Sequence, residues 1–128
     1  MLVASAAAGW VSTFIVVCAA FSGVALRRWW TFAPTIRRMR PHYVVGYAAF
    51  AVALIHVFYA MGLMRSADSA GLRYATAGLA VLALQTFVGA SLQDAGSYRR
   101  LLRAWHLTAF AALVVLVAIH VIANGAVL

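Results

Sequence analysis

A chain of 128 residues that is 66% apolar and 9% charged, with a mean hydropathy of +0.97, cannot cover its own surface as a soluble domain, which carries roughly 25% charged residues. Its formal charge of +8 comes from ten Arg against two Asp, with no Lys. Residues 1–26, 41–64, 74–93 and 104–128 contain no charged side chain, and each stretch reaches the roughly 20 apolar residues that a membrane-spanning helix requires.

These stretches predict an all-α, integral membrane four-helix up-down bundle forming one domain over 1–128, with spans at about 2–26, 42–64, 71–92 and 102–122. Span one, Leu2 to Leu26, has no basic segment ahead of it and is followed by Arg27 and Arg28. Its length and flanks predict a retained anchor, not a cleaved signal peptide. Cys18, the only cysteine, can form neither an internal disulfide nor a thiolate cluster, and no haem-attachment motif is present. It reads as a small packing residue. Span two opens after Pro41, a residue suited to a first helical turn, and runs to about Met64. Span three covers about Gly71 to Leu92, and Asp94-Ala95-Gly96-Ser97 reads as a turn. Span four runs from about Leu102 to Ile122, with Asn124 and Gly125 as stop signals. No repeat, low-complexity tract or linker is evident between them. Short connections make neighbouring spans antiparallel, so spans two and four run the same way and face each other across the bundle.

The positive charge is placed as membrane topology requires, not as a nucleic-acid surface would. Arg27, Arg28, Arg37, Arg38 and Arg40 lie between spans one and two, and Arg99, Arg100 and Arg103 between spans three and four. The connection between spans two and three has only Arg65 and Arg73, with Asp68. Arg-rich short loops stay cytoplasmic. Loops 27–40 and 94–103 are therefore expected inside, with both termini outside, in a membrane of the bacterial cytoplasmic (inner) kind. Trp10, Trp29, Trp30 and Trp105 fall near span ends, where their rings favour the headgroup zone.

All four histidines lie in spans two and four, and each pair, His42/His56 and His106/His120, is 14 residues apart. On a helix 14 residues fall only about 40° short of four full turns and rise about 21 Å. Each pair thus shares one face, with its members in opposite halves of the membrane. Because the spans are parallel, His42 is level with His106 and His56 with His120. Two rungs of facing imidazoles suit bis-histidine ligation of two b-type haems, one inner and one outer. Zinc fits less well, since it takes four protein ligands or three plus water and no Asp, Glu or Cys lies nearby. A proton relay or simple interhelical hydrogen bonding does not call for two matched pairs at one interval.

Small residues accompany the histidines. Gly46 lies one turn after His42, Ala53 and Ala60 lie near His56, and Gly9 and Gly23 are themselves 14 apart, as if to open room beside both rungs. Gly78 and Gly89, 11 apart, do not repeat the interval. Haem propionates belong near the membrane surface. For the inner rung Arg38, Arg40, Arg99, Arg100 and Arg103 are within reach, and for the outer rung Arg65 and Arg73. Arg is the side chain best shaped for a carboxylate.

The stretch Arg40-Pro41-His42 with Gly46 and His56, followed by Arg103-Ala104-Trp105-His106 and His120, resembles the ferric reductase-like transmembrane domain, the family of the NADPH oxidases and of bacterial haem-binding partners of periplasmic reductases. The resemblance covers the four-helix core, hence nearly the whole chain. It implies a cytochrome b-like domain with b-type haem at both rungs and electron flow between the two membrane faces. The family usually has six spans, so this chain looks like its middle four, and it carries no flavin or nicotinamide domain. The cytochrome b of quinol-oxidising complexes has a similar core, which the Gly9–Gly23 interval also resembles. Its first interhelical loop lies outside, against the charge pattern here.

The expected function is a di-haem cytochrome conducting electrons across the membrane as a subunit of a larger redox complex. His42, His106, His56 and His120 are the iron ligands, with Arg38, Arg40, Arg103 and Gly46 at the haem and no separate catalytic acid, base or nucleophile. Expected partners are membrane lipid and a redox subunit, quinone or soluble electron carrier, with no nucleic acid. Two alternatives stand beside it. One is a self-sufficient oxidoreductase acting on quinone or superoxide. The other is a small haem-free transporter, disfavoured by the lack of any carboxylate within a span.

Overall fold

In a computed structural model the described residues are 2–29, 35–63 and 70–123. They form four helices: α1 (Leu2–Trp29), α2 (Thr35–Leu63), α3 (Ala70–Ser91) and α4 (Arg99–Ala123), with a short 3₁₀ turn at Gly96–Tyr98. No strand occurs among the described residues. Even α3, the shortest at 22 residues, extends about 33 Å, enough for a hydrocarbon core of about 30 Å. All four are long and apolar enough to cross a membrane, and the chain is an integral membrane protein of the all-α four-helix class. Asn124, Gly125, Trp30, Arg65 and Asp68 lie outside the described residues.

One helix start differs from the sequence expectation. Pro41 does not open α2 but sits inside it, in the second turn after Thr35. Proline lacks the N–H that would reach the carbonyl of residue 37. Arg37 is solvent-exposed, so water can take the bond that proline cannot make. The first turns of α2 thus project beyond the apolar stretch and carry Arg37 and Arg40 with them. By contrast, the turn expected at 94–97 is present. Leu92 N–H donates to Val88 O (3.1 Å) and Gln93 N–H to Ala90 O (3.1 Å), closing α3. Gly96 then takes φ +47°, a left-handed conformation that other residues adopt at a cost. Tyr98 N–H donates to Ala95 O (2.9 Å) and starts the descent into α4.

The helices pack as two hairpins. α1 lies along α2 and α3 along α4, while the hairpins meet more sparingly, through α2 and α3. The buried side chains are mainly small, Ser12, Ala19, Ala49 and Ala109, with Met39, Leu82, Val88 and Leu113. Such residues let helices approach in lipid, where no hydrophobic force drives them together. Several hydroxyls within the spans are satisfied on their own helices. Thr13 donates to Gly9 O (3.0 Å), Ser22 to Ala19 O (2.8 Å) and Thr86 to Leu82 O (2.8 Å), as an apolar solvent demands. Phe14, Phe21, Phe58, Phe87 and Ile122 point outward, a lipid-facing surface. Accessible surface totals 8882 Å², against about 6,600 Å² for a compact soluble monomer of this mass. The excess matches two hairpins that are each tight within and loosely joined to one another.

Candidate cofactor site: two histidine rungs

The parallel course of α2 and α4 brings the four histidines together in two pairs. The rings of His42 and His106 are 6.1 Å apart between centroids, at 80° between planes. Those of His56 and His120 are 6.4 Å apart, at 77°. Two imidazoles at these separations could share one metal at bonds of about 2.0–2.1 Å if each turned a ring nitrogen toward it. No third His, Cys, Asp or Glu joins either pair among the described residues. The donor set therefore suits a metal that arrives with its other ligands, as a macrocycle does, better than a bare ion needing four protein ligands.

The second rank of residues fixes the rings. His42 Nδ1 lies 2.8 Å from Ala19 O on α1, and His106 Nδ1 lies 3.2 Å from Gln85 O on α3. A carbonyl only accepts, so in both rings Nδ1 carries a proton, which leaves Nε2 as the nitrogen that can ligate a metal. This is the tautomer a metal ligand needs, held by the kind of outer hydrogen bond that ligating histidines commonly make. The Gln85 side chain has a buried Oε1 with no hydrogen-bond partner.

Each ring is also bedded on a neighbouring helix. A Cβ built on Gly9 would stand 3.0 Å from His56 Cε1, and one on Gly23 would stand 3.1 Å from His42 Nδ1. One on Gly89 would stand 3.2 Å from His106 Cε1. These three glycines occupy the space a side chain would deny the imidazoles. The Gly9–Gly23 interval is thus accounted for by the rings themselves. Gly89 was not legible, because its counterpart 14 residues earlier on α3 is Ala75. Running α3 against α4 from the Gly89/His106 pair puts Ala75 level with His120. The two hairpins therefore share one plan, small residue and histidine repeated at 14, which sequence identity between them hides.

Gly46 has nothing within 4 Å of its Cβ position but lines the cleft at the first rung, with His42, Tyr43, Tyr47, Thr86, Gly89 and His106. Tyr43 leans on His42, with centroids 5.9 Å apart and planes at 58°. Arg40 and Arg103 are exposed at the end of the bundle nearest that rung, and the Arg38 side chain lies outside the described part. Gly78 faces Leu116, not a histidine. Cys18 is half-buried on α1 and unbridged. Comparison of the chain with protein-family models, curated proteins and solved structures finds no match.

Proposed function

We propose that the chain is a small di-haem b-type cytochrome that conducts electrons across the membrane as a subunit of a larger redox assembly. The observation that carries this reading is the pair of imidazole rungs, each bringing one ring of α2 to within 6.1 or 6.4 Å of one ring of α4 between centroids. A b-type haem bound there would supply one-electron chemistry, held by one imidazole from α2 and one from α4. His42 and His106 hold one site, and His56 and His120 the other. Ala19 O and Gln85 O set the tautomer and orientation of the first pair, while Gly9, Gly23 and Gly89 give the rings their room. Fourteen residues of helix separate the rungs by about 21 Å, placing one in each half of the bilayer.

The resemblance of the histidine spacing to ferric reductase-like transmembrane domains fits this reading. So does the charge. Arg27, Arg28, Arg37, Arg40, Arg99, Arg100 and Arg103 are exposed at the end carrying the His42/His106 rung. By the positive-inside rule that end is cytoplasmic, in a bacterial inner membrane. The electron donor and acceptor are a partner subunit, quinone or soluble carrier. The test is a dithionite-reduced minus oxidised spectrum of the purified chain with haem quantified per polypeptide. The expected result is a b-type spectrum at two haems per chain. A chain prepared with haem available and still carrying none overturns the reading and leaves the histidines as packing or proton-transfer groups.

A further inference from the structure

The Arg-rich end contains more guanidinium groups than one cofactor can use, and the structure separates them. Arg27 is four residues beyond Gly23 on α1, hence on the same face, and Gly23 is the residue that beds His42. Arg99 opens α4 seven residues before His106, two turns away and only about 20° off its face. Both therefore stand just outside the first rung, one on each hairpin. Tyr43, next to His42 on α2, is half-buried and lines the cleft. Arg28 lies about 100° round α1 from Arg27, and Arg37 precedes His42 by five residues, about 140° off its face; both are exposed.

We infer that Arg27, Arg99 and Tyr43 form a carboxylate clamp for the propionates of the macrocycle at the His42/His106 rung, a deepening that rests on the haem reading above. The chemistry is that of the groups present. Two guanidiniums supply planar, paired donors that match a carboxylate, and the phenol supplies a third donor from the cleft wall. Their placement at the bundle end lets an anionic edge stay near the headgroups while the apolar ring enters the cleft. Because Arg27 belongs to one hairpin and Arg99 to the other, a carboxylate held by each ties the loosely joined hairpins together. The second rung has no such pair among the described residues, where Arg73 is the one cation at that end.

The test uses the full chain loaded with haem, comparing wild type with Arg27→Gln, Arg99→Gln, Tyr43→Phe and the controls Arg28→Gln and Arg37→Gln. Two quantities are read: the rate at which each haem passes to excess apo-globin, and the two midpoint potentials. A lost charge-assisted hydrogen bond speeds release by about tenfold. Arg27→Gln and Arg99→Gln are each expected to do so for one haem of the two. They also lower that haem's potential, because removing positive charge disfavours the reduced form. Tyr43→Phe has a smaller effect on release and none on charge. The controls leave both haems as they are. Clamp variants indistinguishable from the controls, or equal effects on both haems, overturn the inference while the haem reading stands. A wild type without haem overturns both.

Discussion

The first hairpin backs both of its histidines with glycine, Gly23 behind His42 and Gly9 behind His56, while the second does so once, with Gly89 behind His106. Where the shared plan calls for a fourth glycine, α3 carries Ala75. The ring separations are nevertheless close, 6.1 Å in one rung and 6.4 Å in the other. The comparison teaches that the distance across a rung and the bedding behind it are set separately. The first follows from the helix register of α2 against α4. The second follows from side-chain size on α1 and α3, and it can vary at one position while the rung keeps its width.

Removing a ligand breaks the comparison most severely. His42→Ala or His106→Ala should abolish the haem of one rung, and His56→Ala or His120→Ala that of the other, each leaving one haem per chain by pyridine haemochrome assay. Independent rungs give this result because 14 residues, about 21 Å, separate them on each helix. Loss of both haems from a single substitution would mean that the rungs fold as one unit and that the hairpin comparison has no energetic content.

Filling the glycine sites is the next largest effect. Gly9→Val should disfavour the second rung and Gly23→Val the first, since even the Cβ approaches the ring to 3.0 or 3.1 Å. His42 has little freedom to retreat, because Nδ1 is tied to Ala19 O at 2.8 Å. Overpacking of this kind costs about 1–3 kcal/mol, read as a lower unfolding temperature in detergent and as selective loss of one haem. Gly78→Ala is the internal comparison. Its added methyl would meet Leu116 Cβ at 3.9 Å, an ordinary contact away from the histidines, so it should leave haem content unchanged. Equal damage from Gly78→Ala and Gly9→Val would show that any added bulk in these helices is harmful, whether or not it meets a ring.

How far the sequence exposes this arrangement depends on the length scale of each interaction. The four spans are legible because lipid forces an unbroken apolar run on each helix, and only α2 misleads, by continuing upstream through Pro41. The histidine pairing is legible because it needs one number, the interval of 14, and the parallel course of α2 and α4. The bedding of His56 and His42 is half visible in Gly9 and Gly23. That of His106 is not, since Ala75 breaks the interval that would have marked Gly89. The carbonyls of Ala19 and Gln85 leave no trace at all, as every residue offers one. The Arg residues are the hardest case. Composition places eight of them around two loops, but only helix faces bring Arg27 on α1, and Arg99 and Arg103 on α4, to the side of the first rung.

The smallest effect is the most direct test of the comparison, because it repairs the difference instead of enlarging it. Ala75→Gly gives the second hairpin the small residue that the first has at both rungs. Two opposed consequences follow. Glycine inside a helix costs about 1 kcal/mol relative to alanine, and this lowers the unfolding temperature of the apoprotein slightly. At the level of His120, where the 14-residue register puts Ala75, the loss of a methyl frees space of the kind Gly9 provides beside His56, and this slows release of the second-rung haem. The variant should therefore be less stable without haem and at least as retentive with it, seen by comparing melting temperatures and haem-transfer rates in the same detergent. Gly89→Ala is the mirror experiment, since it gives the His106 side an alanine whose Cβ would stand 3.2 Å from Cε1. If Ala75→Gly weakens retention at the second rung, then the alanine methyl packs favourably against its ring. The second hairpin would then be a distinct solution to holding an imidazole, and not an incomplete copy of the first.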